Sequence, residues 1–172
     1  MNVKQLNRYI EKSLSEIKVE DPNFEAQCIM EQVFGFNRIA LIVHGNDEVP
    51  NETLAKVDEI VGRRKNFEPL QYILGKWNFF GFDFEVGEGV LIPRDDTEVV
   101  VDLCLEYLDS LKTDNKKVVD LCAGSGAISI AIQKITGAEV VAVELSDKAY
   151  KFLEKNIKLN SSSVRPFMGD VY

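Results

Sequence analysis

VVDLCAGSGAISI, residues 118–130, leaves an apolar run through Asp120, Cys122, Ala123, Gly124, Ser125 and Gly126, then turns apolar again. A buried strand that bends sharply into a helix has this form. Gly124 and Gly126 carry no side chain, so backbone can come close to a ligand and the helix can start tight against the strand. Such a turn seats a nucleotide, and several kinds of nucleotide are compatible with it.

The residues around it supply the architecture. Residues 117–121 and 139–143 read as strands, and 164–168 as a short third one. Residues 97–111, 127–135 and 147–159 have helical spacing, the first with Val100, Leu103, Cys104, Tyr107, Leu108 and Leu111 inside. Strands separated by helices of this length imply an α/β fold with a parallel sheet. Ligands of such sheets bind beyond the carboxyl ends of the strands. Three features of this chain fall there together: the glycine turn, Glu144 just after the second strand, and Asp170 just past the third. A carboxylate at Glu144 can accept both hydroxyl hydrogens of a ribose, and one at Asp170 a hydrogen bond from an adenine amino group. An adenosine-containing ligand unites the three.

Two cofactor classes share this layout. A dinucleotide turn needs G-x-G-x-x-G; here Ser129 stands in the third place. A turn for S-adenosylmethionine begins with an acid, in a pattern like D-x-G-x-G-x-G. The chain has Asp120, then Cys122 for the first glycine, then Gly124 and Gly126. Asp120 favours this class, because a carboxylate suits a cationic sulfonium and amino group and suits a pyrophosphate poorly.

Upstream, residues 1–66 read as a small helical domain. Val3, Leu6, Ile10, Leu14 and Ile17 form one apolar stripe. Asp21-Pro22 starts a second helix that stops at Gly35, Asn37 caps a short third, and Pro50-Asn51 opens a fourth with Leu54, Val57, Ile60 and Val61 inside. Residues 67–95 read as a β-hairpin linker. Phe80, Phe82, Phe84 and Val86 alternate, Gly87 and Gly89 are expected to turn the chain, and VLIP is expected as the second strand, ended by Pro93. Residues 96–172 hold the sheet.

The net charge is −8, and no basic stripe of the kind a nucleic-acid reader carries is evident. Arg63-Arg64-Lys65 reads as a solvated helix end, which argues against direct nucleic-acid binding. Three scattered cysteines, Cys28, Cys104 and Cys122, show no metal-ligand spacing and fit a reducing cytoplasm. No apolar run is long enough to span a membrane. His44 reads as a helix-end residue, and Cys122, with no basic neighbour, as a small packed residue rather than a nucleophile.

EPLQYILG (68–75), VLIPRDDTE (90–98) and VVDLCAGSGAISIAI occur in the order and spacing of the protein-(glutamine-N5) methyltransferases that modify peptide-chain release factors, and the chain resembles that family along nearly its whole length. Asp95 departs from the usual IPRPDTE. The resemblance implies a helical domain that recognises the release factor, then a linker and the first half of a Rossmann-like S-adenosylmethionine-dependent methyltransferase domain. It implies that Asp120, Cys122, Ala123, Gly124, Ser125 and Gly126 line the methionine part of the cofactor, that Glu144 holds the ribose, and that Asp170 with Val171 borders the adenine. Arg94, in the signature, is a further candidate for contact with cofactor or substrate backbone.

The family transfers its methyl group with an Asn-Pro-Pro-Tyr motif after a fourth strand, and that motif does not occur in these 172 residues. No catalytic residue is therefore expected within the chain, which is expected not to methylate alone. Ending after the third strand leaves KVVDL as a bare apolar edge, so the chain is expected to be a fragment of a longer enzyme, or else a partner covers that edge. Alternatives are a nucleic-acid amino-methyltransferase, a non-catalytic S-adenosylmethionine-binding module and, last, a nicotinamide dehydrogenase.

Overall fold

Asn2 opens the first helix, α1 (Val3–Ser15), with a reciprocal cap: its side chain accepts from the Gln5 N–H, and the Gln5 side chain accepts from the Asn2 N–H. Val3, Leu6, Ile10 and Leu14 then fall on one buried stripe, each side chain stabilising the fold by about 1.5–3 kcal/mol through burial. The computed structural model describes residues 1–171 and divides into two compact units, Met1–Leu74 and Gly75–Tyr172.

In the first unit Asp21 caps α2 (Pro22–Phe34), which ends on Gly35 in the left-handed region, φ 68°. Asn37 caps α3 (Arg38–Val43), as its position before the apolar run implies. The helices α4 (Asn51–Lys65) and α5 (Leu70–Leu74) complete the unit. Its core joins the α1 stripe to Ala26, Ile29, Met30, Val57, Val61 and Leu70, with Ile17 packed half-buried just after α1. The basic cluster at the end of α4 is not simply solvated. Arg64 makes a two-pronged, mostly buried pair with Glu25 at 2.8 and 3.0 Å, Arg63 pairs with Glu68 and Lys65 with Glu16 at 3.5 Å. Carboxylates 5 to 49 residues away in sequence set these pairs, so a local reading of the three cations misses them.

In the second unit the hairpin is tighter than the glycine pattern suggests. Its strands are β1 (Lys76–Phe79) and β2 (Phe82–Glu85), joined at Phe80-Gly81, both at positive φ, 52° and 79°. Two residues with φ above zero match the right-handed twist of the strands. The expected second strand at VLIP is irregular chain instead. Gly87 and Gly89 serve packing against the last helix: a β-carbon on Gly87 would lie 2.9 Å from Phe152, and one on Gly89 2.5 Å from Lys148.

Helix α6 (Asp96–Ser110) buries Val101 and Leu108, whereas Val100, Leu103 and Tyr107, expected inside, are exposed. The helix is apolar around most of its circumference, so spacing alone selects the wrong stripe. The parallel sheet runs β3 (Lys117–Leu121), β4 (Glu139–Glu144), β5 (Arg165–Met168), in that order. Helices α7 (Ala127–Thr136) and α8 (Asp147–Leu159) connect them. Right-handed crossovers stepping the same way along a sheet put both helices on one face, which buries Val140 and Ala142. On the other face Val119 and Leu121 are 61% and 55% exposed. Among the described residues no helix is long and apolar enough to cross a membrane.

Candidate cofactor-binding site

The end of β3 delivers the chain into a turn built from three left-handed residues, Cys122 (φ 65°), Gly124 (φ 57°) and Gly126 (φ 82°). The Ala123 N–H donates to the Val143 carbonyl at 2.9 Å, tying the turn to the end of β4, and the Gly126 N–H donates to Ala123 at 2.8 Å. The two glycines do different work. A β-carbon on Gly126 would lie 2.5 Å from Leu153 of α8, so this residue lets α7 start against its neighbour. A β-carbon on Gly124 would meet nothing within 4 Å; that side of the turn is open space, as a ligand requires. Cys122 is exposed rather than packed, and its left-handed φ carries strain that glycine in that place would not.

Glu144, the last residue of β4, is 9% exposed. One carboxylate oxygen accepts the Gly124 N–H at 2.7 Å and the other the Ser146 N–H at 2.8 Å. Two backbone donors thus orient the carboxylate and hold the turn, and each oxygen keeps a second acceptor position. A cavity of about 350 Å³ opens here, lined by Cys122, Ala123, Gly124, Ser125 and Glu144 and by Arg94, Pro93 and Thr97. Arg94 and Glu144 are the cation and the carboxylate among these lining residues.

Asp120 is not among the residues that line this cavity. It shares with Val118 the sheet face that α7 covers, and it accepts a short hydrogen bond from the Ser129 hydroxyl. Burial pushes its carboxyl above the ordinary carboxylate range; the Ser129 bonds pull it down and the Glu144 charge pushes it up. Ser129, which reads in sequence as a defect in a dinucleotide pattern, is thereby the partner of Asp120. Gly169, after β5, donates its N–H to the Glu144 carbonyl at 3.1 Å, which puts Asp170 and Val171 at the same end of the sheet; neither lines the cavity.

One residue that sequence reasoning passed over organises the surroundings. Asn156 of α8 is fully buried; its amide donates to the carbonyls of Glu85 at 3.0 Å and Ser125 at 2.9 Å, and accepts the Glu85 N–H at 2.6 Å. It fastens both the hairpin and the glycine turn to α8. The available signal was a polar residue at core spacing, after Ala149 and Leu153. Glu98 of α6 similarly accepts the Phe80 N–H in the hairpin turn at 2.8 Å.

A parallel half-sheet, a glycine turn open on one side and an oriented acid at the end of the next strand are the features of a Rossmann-like methyltransferase domain that uses S-adenosylmethionine, and the second unit is similar to that class. Residues 106–172 match the family model of the TRM5/TYW2 methyltransferase domain. More particularly, the chain resembles the release factor glutamine methyltransferases. Residues 5–75 match the PrmC N-terminal domain. The chain is 36% identical to the release factor glutamine methyltransferase of Fusobacterium nucleatum over 154 residues, 87% of this chain and 43% of that protein. It is 36% identical to that of Geobacter sulfurreducens over 160 residues, 92% and 55% of the two chains. The chain thus spans about half the length of these curated relatives. Among solved structures, that of M. jannaschii TYW2 in complex with AdoMet aligns with 55% of this chain and 42% of that one, at 26% identity and a TM-score of 0.46.

Proposed function

We propose that this chain carries the cofactor-binding part of an S-adenosylmethionine-dependent methyltransferase that modifies the glutamine of a Gly-Gly-Gln motif in peptide-chain release factors. The observation that carries the reading is Glu144, fixed by two backbone N–H groups beside a turn that is open at Gly124. A ribose diol would take the free acceptor positions of this carboxylate, with the adenine toward Asp170 and Val171. The methionine end would lie along Cys122, Ala123, Gly124 and Ser125, with Arg94 in reach of its carboxylate. Asp120 would add negative potential behind the turn, and Gly126 would keep the helix start close. A single lining cation suits a pyrophosphate poorly, which disfavours a nicotinamide cofactor.

When bound, S-adenosylmethionine supplies a methyl group on a sulfonium, an electrophile. The amide nitrogen it must reach is a weak nucleophile, because its lone pair is delocalised into the carbonyl. Transfer therefore needs the NH2 held in line and one of its protons accepted as the C–N bond forms and the S–C bond breaks. The residues assigned here hold and orient the donor side only; no residue of this chain is assigned to the transfer. The helical unit would engage the protein substrate.

The match of residues 106–172 to the TRM5/TYW2 methyltransferase domain favours one second reading, methylation of a nucleic acid in place of a release factor. One assay separates the two. Radiolabelled methyl transfer by the intact gene product is measured on a release factor, on the same factor with its Gly-Gly-Gln changed to Gly-Gly-Ala, and on tRNA. The reading expects label on the first substrate alone. Label on tRNA and none on the release factor would replace it with the second.

A further inference from the structure

The first unit carries a groove of about 440 Å³ between α1, α2 and α3. Along α1, Lys4, Asn7, Arg8 and Glu11 recur at helical spacing and face it, and Arg38 and Ile42 close it from α3. Lys4, Arg8 and Arg38 form no ion pair among the described residues, whereas Arg63, Arg64 and Lys65 of the same unit find carboxylates. Lys12, Lys18 and Lys56 are also unpaired among the described residues, and what distinguishes the first three is that they line one groove. In a chain of net charge −8, three unpaired cations in one groove leave a positive potential with one carboxylate, Glu11, to oppose it.

Two further observations narrow what fits. The Asn7 Oδ1 atom is buried and meets no donor, a state that costs free energy until a donor arrives. On α3, Ile39, Ile42 and Val43 are 71%, 76% and 72% exposed. A ligand that offers carboxylates, an N–H group and apolar side chains together is a polypeptide. We infer that this groove docks an acidic, amphipathic segment of another protein: its carboxylates meet Lys4, Arg8 and Arg38, its apolar side chains lie on α3, and one of its N–H groups satisfies Asn7. A nucleic acid would meet the cations but gain nothing from three exposed aliphatic side chains. The inference uses no part of the cofactor site and rests on the reading that the helical unit engages a protein substrate; the peptide titration tests the groove by itself, and the methyl-transfer assay tests that reading.

The test titrates the full chain into a short fluorescein-labelled helical peptide of Glu, Leu and Ala, the same peptide with Gln for Glu, and a labelled single-stranded RNA. The acidic peptide should bind saturably, about tenfold tighter than the Gln peptide, and weaken as salt rises to about 0.3 M. The Arg8→Ala/Arg38→Ala pair should weaken it about tenfold with an unchanged circular-dichroism spectrum, while Lys112→Ala/Lys151→Ala, exposed cations elsewhere, should not. Asn7→Leu should raise the melting temperature and weaken the peptide, since it removes an unpaired acceptor kept for a ligand. Equal binding of acidic and Gln peptides, tighter binding of the RNA, or an Arg8/Arg38 variant that binds as the parent does would overturn the inference.

Discussion

Gly124 and Gly126 sit two residues apart in one turn, and their surroundings predict opposite consequences of the same substitution. Gly126→Ala drives a β-carbon into Leu153 at a left-handed φ and should lower stability by about 2–3 kcal/mol in denaturant unfolding. Gly124→Ala meets open space, so its cost is the strained φ alone, about 1 kcal/mol, while cofactor binding should be largely lost. Asp120 gives a pH signature. Its carboxyl titrates above the ordinary range because it is buried, so the folded state holds that proton more tightly than the unfolded one. The stability this contributes is complete below the unfolded value and is lost as pH rises through the raised folded value. Asp120→Asn keeps an acceptor for Ser129 without the buried charge. Its melting temperature should exceed that of the parent near pH 8, and the gap should close below about pH 4, the ordinary carboxylate range. The thiols divide just as sharply. Cys28 is pushed up to about 11 by burial, whereas Cys122 is exposed on the cavity wall. Iodoacetamide with mass spectrometry should therefore label Cys122 well before Cys28, and bound S-adenosylmethionine should slow the labelling of Cys122.

At the scale of elements, Asn156 connects the most structure. Asn156→Leu would strand the Glu85 N–H and the carbonyls of Glu85 and Ser125 and should cost about 2–4 kcal/mol by chemical denaturation. Elements whose cause is local were legible before the structure. Asp21 and Asn37 stand before apolar runs and cap their helices, the pattern over 117–121 gives the bounds of β3 to the residue, and Gly35 ends α2; the reciprocal cap of Asn2 on α1 comes from the structure alone. Elements whose cause is distant were not. The glycine pattern points to a hairpin turn at Gly87 and Gly89, but their absent side chains answer to Phe152 and Lys148 of α8 some sixty residues on. The inner face of α6 differs from the one its spacing suggests because its apolar residues surround the helix, and only packing chooses among them. In the site, Gly124 and Glu144 announced themselves by position after strands; Asn156 and Ser129 act through contacts that sequence spacing does not encode.

The whole molecule pairs a helical unit that has its own buried core with a sheet unit that is finished on one face. Helices α7 and α8 cover Val140 and Ala142, whereas Val119 and Leu121 lie 61% and 55% exposed on the edge strand β3, with Phe167 54% exposed on β5. Parallel sheets are ordinarily covered on both faces, so this surface is the natural place for association. Dilution in analytical ultracentrifugation should show reversible self-association of the chain, weakened by Val119→Lys. The site does not depend on that face, since Glu144, the glycine turn and the cavity belong to the carboxyl ends of β3 and β4. The central claim, that this end of the sheet is built for S-adenosylmethionine, is tested most directly by isothermal titration of the chain with that cofactor, with NAD as the comparison ligand. The account predicts saturable one-to-one binding of S-adenosylmethionine that is lost in Glu144→Ala, and no heat from NAD. Saturable binding of NAD in place of S-adenosylmethionine, or S-adenosylmethionine affinity unchanged in Glu144→Ala, would contradict it.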